Sequence, residues 1–313
     1  MIWLIGSGSM SIEYSKVLDG LNKQYTVVGR GQASADTFFE ATGKPVVTGG
    51  LEAFIKSSAS VPEAAIISVG VYQLYDTALQ LIEFGVKNIL IEKPAAVSYQ
   101  QVEDLCARCV AYNSNIYVAY NRRFFSSVLE AKKRIAEEGG PTSFNFELTE
   151  WAHLIEKIDK PLDVLRKWFL ANSTHVADLA FFLGGKPKML TCFTSGSLEW
   201  HPDASIFAGA GVSQSGALFN YAANWESAGR WSVEVLTKDH RYIFRPMEQL
   251  QVQKRGQIAV NLVEVDDSLD KEYKPGLYKQ VKAFLMQDCE HLCSLAEQKK
   301  QFKSFEKMAG YER

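Results

Sequence analysis

The sequence predicts two differently built halves. The first is an α/β unit with a doubly wound parallel sheet, and the second an α+β unit with a large, mostly antiparallel open sheet. Three observations carry this reading. Residues 1–120 alternate short apolar strands with helix-length segments. After Arg123, strand-like segments follow one another with little helix between them. From Pro275 to Met308 the pattern is helical again.

In the first half, strands are expected at Ile2–Ile5, Tyr25–Gly29, Ala64–Val69, Lys87–Ile91 and Asn115–Tyr120. Each is short, rich in β-branched or aromatic residues, and bounded by Gly, Asn or polar residues. Helices are expected between them, among others at 33–42, 73–84 and 99–112. Leu74, Ala78, Leu81 and Ile82 recur at helical spacing, and Gly85 stops that helix. In the second half, segments 144–150, 188–198, 216–226, 230–237 and 240–246 read as strands. Phe219, Tyr221, Ala223 and Trp225 fall on one face, and a hairpin turns at Lys238-Asp239. One helix, "STHVADLAFFLGG", ends at Gly184-Gly185. The expected domains are 1–121 and 122–274, with 275–313 packing back on the first.

Composition narrows the function classes. A chain of 313 residues with 47% hydrophobic and 22% charged content builds sizeable cores. A net charge of −2 points to neither nucleic acid nor membrane as partner. No apolar run approaches the ~20 residues that span a bilayer. The opening "MIWLIGSGSMS" lacks the basic start and long apolar region of a signal peptide, so a cytoplasmic protein is expected. Its five cysteines suit a reducing compartment. Cys106 and Cys109, and Cys289 and Cys293, sit in helix-like stretches and are read as core filling, with no metal site expected.

The first strand runs into Gly6-Ser7-Gly8-Ser9-Met10-Ser11, a G-x-G-x-x-S. Gly6 allows the tight turn, and Gly8 lets the backbone approach a pyrophosphate at a helix N-terminus. Ser11 is small enough for the third position. A strand before it and a helix after it are the context of a Rossmann dinucleotide site. Gly6, Ser7, Gly8, Ser9 and Met10 are therefore expected at the cofactor, with Val69 at the end of the Ala64–Val69 strand. After the second strand, where NAD sites usually hold an acidic residue, stands Arg30. Arg30 pairs with a 2′-phosphate, which favours NADP over NAD, or else stacks on the adenine face, which suits both.

"NILIEKPAAVS" places Glu92, Lys93 and Pro94 at the carboxyl end of a parallel strand, where ligands of such sheets bind. A partly desolvated lysine there can take the proton of a hydroxyl undergoing hydride transfer. The Gly-rich first turn, this E-K-P and the strand running into "YNRRF" resemble the Gfo/Idh/MocA oxidoreductases, over nearly the whole chain. The resemblance implies a Rossmann domain, an α+β domain whose sheet often mediates dimers or tetramers, and NAD(P)-dependent chemistry at a sugar, cyclitol or nucleotide-sugar hydroxyl or carbonyl carbon. It implies Lys93 as the central catalytic residue, Glu92 and Pro94 beside the cofactor, and a Lys93–Pro94 bond that is often cis.

The family's D-x-x-x-H-x-x-D reads here Ala171-Asn172-Ser173-Thr174-His175-Val176-Ala177-Asp178. His175 and Asp178 match, and the first Asp is replaced by Ala171. His175 is read as acid/base partner of Lys93, Asn172 as a polar substrate contact and Asp178 as a supporting or structural residue. Arg122 and Arg123 either bind an acidic substrate group or tie the domains together. Trp151, His153 and Trp168 either line a sugar pocket or pack a core. Two other readings stand beside the enzyme: a catalytically silent dinucleotide-binding regulator, which Ala171 favours, and a reductase of a non-sugar carbonyl or imine.

Overall fold

Ile2–Ile5 (β1) is buried at every residue, as is Ala64–Ile67 (β4), so both strands must be covered on two faces. The computed structural model describes residues 1–311. Within it the chain divides into two units, one of residues 1–124 and 268–299, the other of 125–267 and 300–311.

The first unit adds Tyr25–Val28 (β2), Val46–Val47 (β3), Asn88–Ile91 (β5) and Asn115–Val118 (β6) to the same sheet. All of these strands are parallel, in the order β6-β5-β4-β1-β2-β3. Strand order reverses between β1 and β4, and the crevice beyond their carboxyl ends is where such sheets bind ligands. Helices Ser9–Gly20, Gln32–Thr42, Leu74–Phe84 and Tyr99–Tyr112 form the crossovers. Leu74, Ala78, Leu81 and Ile82 are fully buried, and Gly85 closes that helix at φ +101°. The two-residue β3 was not legible, being too short to show a period.

The second unit holds Ser143–Glu147 (β7), Pro187–Ser195 (β8), Ile206–Ser213 (β9), Leu218–Asn224 (β10), Ser232–Leu236 (β11), His240–Phe244 (β12), Gln251–Lys254 (β13) and Val260–Leu262 (β14). They form one eight-stranded sheet, antiparallel except where β7 pairs with β10. Phe219, Tyr221, Ala223 and Trp225 all face inward, and the hairpin turns at Lys238-Asp239 as the alternation predicts. Helix Thr174–Gly184 packs on β7 and β11, where Phe181 meets Phe144 and Phe146 edge-on. The expected strand at 188–198 ends earlier, at Ser195. Strand β9 escaped the sequence reading because "IFAGAGVS" sets a run of Ala and Gly between its β-formers Ile206, Phe207 and Val212. Its Gly209 and Gly211 lie under the rings of Tyr221 and Phe219, where any side chain would collide.

The expected continuous helical tail is interrupted. Helices Leu277–Met286 and Leu295–Ala309 flank Cys293–Ser294 (β15), which pairs antiparallel with β6 and extends the first sheet. Among the described residues no helix is long and apolar enough to cross a membrane.

Candidate active site

The turn after β1 is fixed by its backbone. Gly6 has φ +119°, and a Cβ there would lie 2.5 Å from the carbonyl oxygen of Ser68. A Cβ on Gly8 would meet nothing within 4 Å, so the chain is open to a ligand above it. The helix that starts at Ser9 has no side-chain cap, which leaves its first N–H groups for an incoming anion. These features edge a cavity of about 1020 Å³, large enough for a dinucleotide, that also takes in Gly29, Arg30, Gly50 and Val69. Ser7 Oγ donates to Ser34 Oγ at 2.9 Å and ties the first turn to the loop after β2. Of the residues expected here, Gly6, Ser7, Gly8, Arg30 and Val69 line the cavity; Ser9 and Met10 open the helix beside it.

Arg30 is exposed at the groove edge, and no acceptor among the described residues holds its guanidinium. The nearby Glu52 pairs instead with Lys56 at 2.7 Å. Glu52 and Asp76 also line the cavity, and the Lys56 ammonium answers the Glu52 charge. The groove fits a nicotinamide dinucleotide.

At the end of β5 the chain makes a tight turn, closed by Ala95 N–H donating to the Glu92 carbonyl at 3.0 Å. The Lys93–Pro94 bond is cis, and Ala95 stands at φ +73°, a region that a non-glycine residue seldom enters. Gln298 Nε2 donates to the Pro94 carbonyl at 3.0 Å and pins the turn. Glu92 accepts from the buried Tyr14 hydroxyl at 2.7 Å. Burial pushes the Glu92 carboxyl above the usual range, while that hydrogen bond and the charges of Lys93 and Lys274 pull it back. Lys93 is partly exposed on this braced turn.

In the second unit a π-helical turn, Phe169–Ser173, leads into helix Thr174–Gly184. Such turns often mark functional positions. It sets His175 at the second residue of the helix, 8% exposed, its ring 6.5 Å from that of Trp231. The sequence reading missed the group that organises this region. Glu150, 1% exposed, accepts from Asn172 Nδ2 at 2.9 Å and from Ser173 Oγ at 2.7 Å. Arg230 Nη1 reaches its second oxygen at 3.4 Å. Burial raises the Glu150 carboxyl, and these donors offset part of that rise. A carboxylate thus serves the segment that carries Ala171, although the chain supplies it from the end of β7. Only its position in "LTEW", after an alternating strand, hinted at burial.

The remaining expected residues are placed as follows. Arg123 is 2% exposed and pairs with Glu297 at 2.8 Å, an ion pair inside the first unit. Arg122 beside it is half-buried. Trp168 is buried edge-on to Trp200, and its indole N–H has no partner among the described residues. Trp151 is exposed, as is His153. Asp178 is buried and accepts from Gln301. The five cysteines are free thiols. Burial raises Cys106, and it pushes Cys109 up to about 12.

Among curated proteins, none matches the chain in sequence. Solved structures match it in fold. Levoglucosan dehydrogenase in complex with NADH has a TM-score of 0.80 at 18% identity, over 99% of this chain and 96% of that one. UDP-N-acetylglucosamine 3-dehydrogenase GnnA from Acidithiobacillus ferrooxidans has a TM-score of 0.75 at 15% identity, over 97% and 94%. The WlbA dehydrogenase from Bordetella pertussis, in complex with NADH and UDP-GlcNAcA, has a TM-score of 0.75 at 13%, over 99% and 96%. Residues 2–120 match the oxidoreductase family with an NAD-binding Rossmann fold, GFO_IDH_MocA. The glycine turn, the nucleotide groove and the E-K-P turn all lie on that matched segment.

Proposed function

We propose that this protein is a nicotinamide-dependent oxidoreductase that moves a hydride to or from a hydroxyl or carbonyl carbon of a sugar, cyclitol or nucleotide sugar. The observation that carries the reading is the braced turn at the end of β5. It holds Lys93 beyond the carboxyl edge of a parallel sheet whose nucleotide groove belongs to the same unit. Backbone held in a rare conformation persists where a site requires it. The sugar-handling dehydrogenases that share the fold support the substrate class.

Bound nicotinamide supplies the carbon that takes or gives the hydride. Gly6, Ser7 and Gly8 offer backbone to its pyrophosphate, and Arg30 favours the 2′-phosphate of NADP, with NAD the weaker partner. Lys93 Nζ holds or moves the proton of the reacting oxygen. His175 is the second acid/base group, and Asn172, Trp168 and Arg122 are the substrate contacts. Glu150 bears on the silent-regulator reading that Ala171 raised: the segment still has a buried carboxylate, which favours the enzyme. Met189, Phe193 and Leu218 stand exposed on the second sheet and support a dimer or tetramer formed through it, which light scattering after gel filtration reads directly. Five free thiols support a cytoplasmic setting.

The test is a cofactor and substrate screen that follows reduced-nicotinamide absorbance with wild type and Lys93→Met. The variant is expected to lose about 1,000-fold or more in kcat while its cofactor Kd stays within about twofold. Tight NADPH binding with no turnover across neutral, acidic and nucleotide sugars sinks the enzyme reading in favour of a regulator.

A further inference from the structure

Arg230 stands on the turn into β11, directly after Gly229. Gly229 has φ +151°, and a side chain there would strike Glu147. The guanidinium carbon lies 4.7 Å from the ring centre of Trp151 and 4.5 Å from that of Trp231. The Trp151 indole N–H donates to the Gly229 carbonyl at 2.9 Å, so one aromatic face is locked to the turn that carries the arginine. Glu150, which Asn172 and Ser173 fix from the other side, takes one N–H at 3.4 Å. A guanidinium has five N–H donors. No other acceptor among the described residues takes the rest, and the side chain is 46% exposed.

Simple neutralisation of Glu150 does not account for this arrangement. Arginine–carboxylate pairs built for stability tend to be bidentate and short, whereas this one is a single long contact. It also leaves Trp151 43% exposed against the cation, although covering the indole would bury more apolar area. What the contacts achieve is a flat cation held in one orientation with donors open to solvent. A preorganised fork of that kind matches the paired oxygens of a carboxylate or phosphate. Trp231 is a neighbour of both Arg230 and His175, so the fork and the proposed acid/base residue share one aromatic wall.

We infer that Arg230 binds an anionic oxygen group of the substrate, either a sugar carboxylate or a sugar phosphate. The inference rests on the sugar-oxidoreductase reading and narrows its substrate class.

Calorimetric titration of the full chain, with reduced cofactor present, decides it. Glucose, glucuronate, glucose 1-phosphate and UDP-glucose serve as probes for wild type, Arg230→Gln and Arg230→Lys. At least one anion is expected to bind wild type about tenfold or more tighter than glucose. Glucuronate leading assigns the carboxylate, and the phosphorylated probes leading assign the phosphate. The gap should collapse in Arg230→Gln and be intermediate in Arg230→Lys, which keeps charge without the fork and guards against a Gln variant that misfolds. Equal binding of glucose and its anions, no binding of any anion, or a gap that survives Arg230→Gln overturns the inference. Cofactor affinity is read separately: its absence strikes the dehydrogenase reading, and its presence with no anion gap strikes only this one.

Discussion

In the first unit the candidate site is made of backbone. Gly6, Gly8, Gly29 and Gly50 edge the groove, and its cation, Arg30, stands exposed without an acceptor. In the second unit the candidate site is made of side chains. Glu150, His175 and Trp231 are buried, Trp231 neighbours His175, and Arg230 joins Glu150 to the rings of Trp151 and Trp231. A backbone site is open because it must admit a large, chemically constant ligand. A side-chain site is crowded because each polar group buried there needs a partner, and those partners also set specificity. The two regions should therefore fail differently when altered.

The largest difference is expected at Gly6. Gly6→Val forces a Cβ against the Ser68 carbonyl in a left-handed conformation, and should weaken cofactor binding by about 100-fold or more, roughly 3 kcal/mol. A fluorescence titration with NADPH measures it, and an unchanged Kd would break the claim that backbone shape makes the groove. Next, Glu150→Ala removes the acceptor for Asn172, Ser173 and Arg230. It should cost about 2 kcal/mol of stability and lower Tm by several degrees, with cofactor Kd within about twofold. A larger effect on cofactor than on Tm would show that the two regions are not independent. Arg30→Asp should then move the NADP:NAD ratio of kcat/KM by about tenfold toward NAD. A constant ratio would leave Arg30 as an adenine-stacking residue.

The smallest effect concerns pH. Burial holds the Glu150 carboxyl above its ordinary value of 4.5. The folded state therefore keeps a proton that the unfolded state has already released. That contribution is complete below the unfolded value and is lost as pH rises through the raised one. Thermal melts from about pH 4.5 upward should show wild type losing stability relative to Glu150→Gln over the window just above 4.5. A relative gain over that window contradicts the burial argument. Glu92 carries the same sign in the first unit, braced by Tyr14.

Much of the fold was legible because it rests on short-range patterns. Period-2 alternation put Phe219, Tyr221, Ala223 and Trp225 on the buried face. Unbroken apolar runs marked β1, β4 and β5 as doubly covered strands. What escaped had no local period, such as the two-residue strands β3 and β15, or traded β-propensity for space, as Gly209 and Gly211 do beneath aromatic rings. The turn glycines and Lys93 were legible for a related reason. A G-x-G after a strand and a lysine at a strand end acquire meaning within a few residues of chain.

By itself the sequence determined the two-unit plan, the parallel sheet with its glycine turn, and the lysine at the end of β5, since each follows from φ, periodicity or strand direction over short spans. Only the tertiary structure decided which charges are buried and who answers them. Glu150 meets partners 22, 23 and 80 residues away, and Arg123 meets Glu297 174 residues away. Burial of a charge depends on donors brought together by the whole fold, and no local window of sequence contains them.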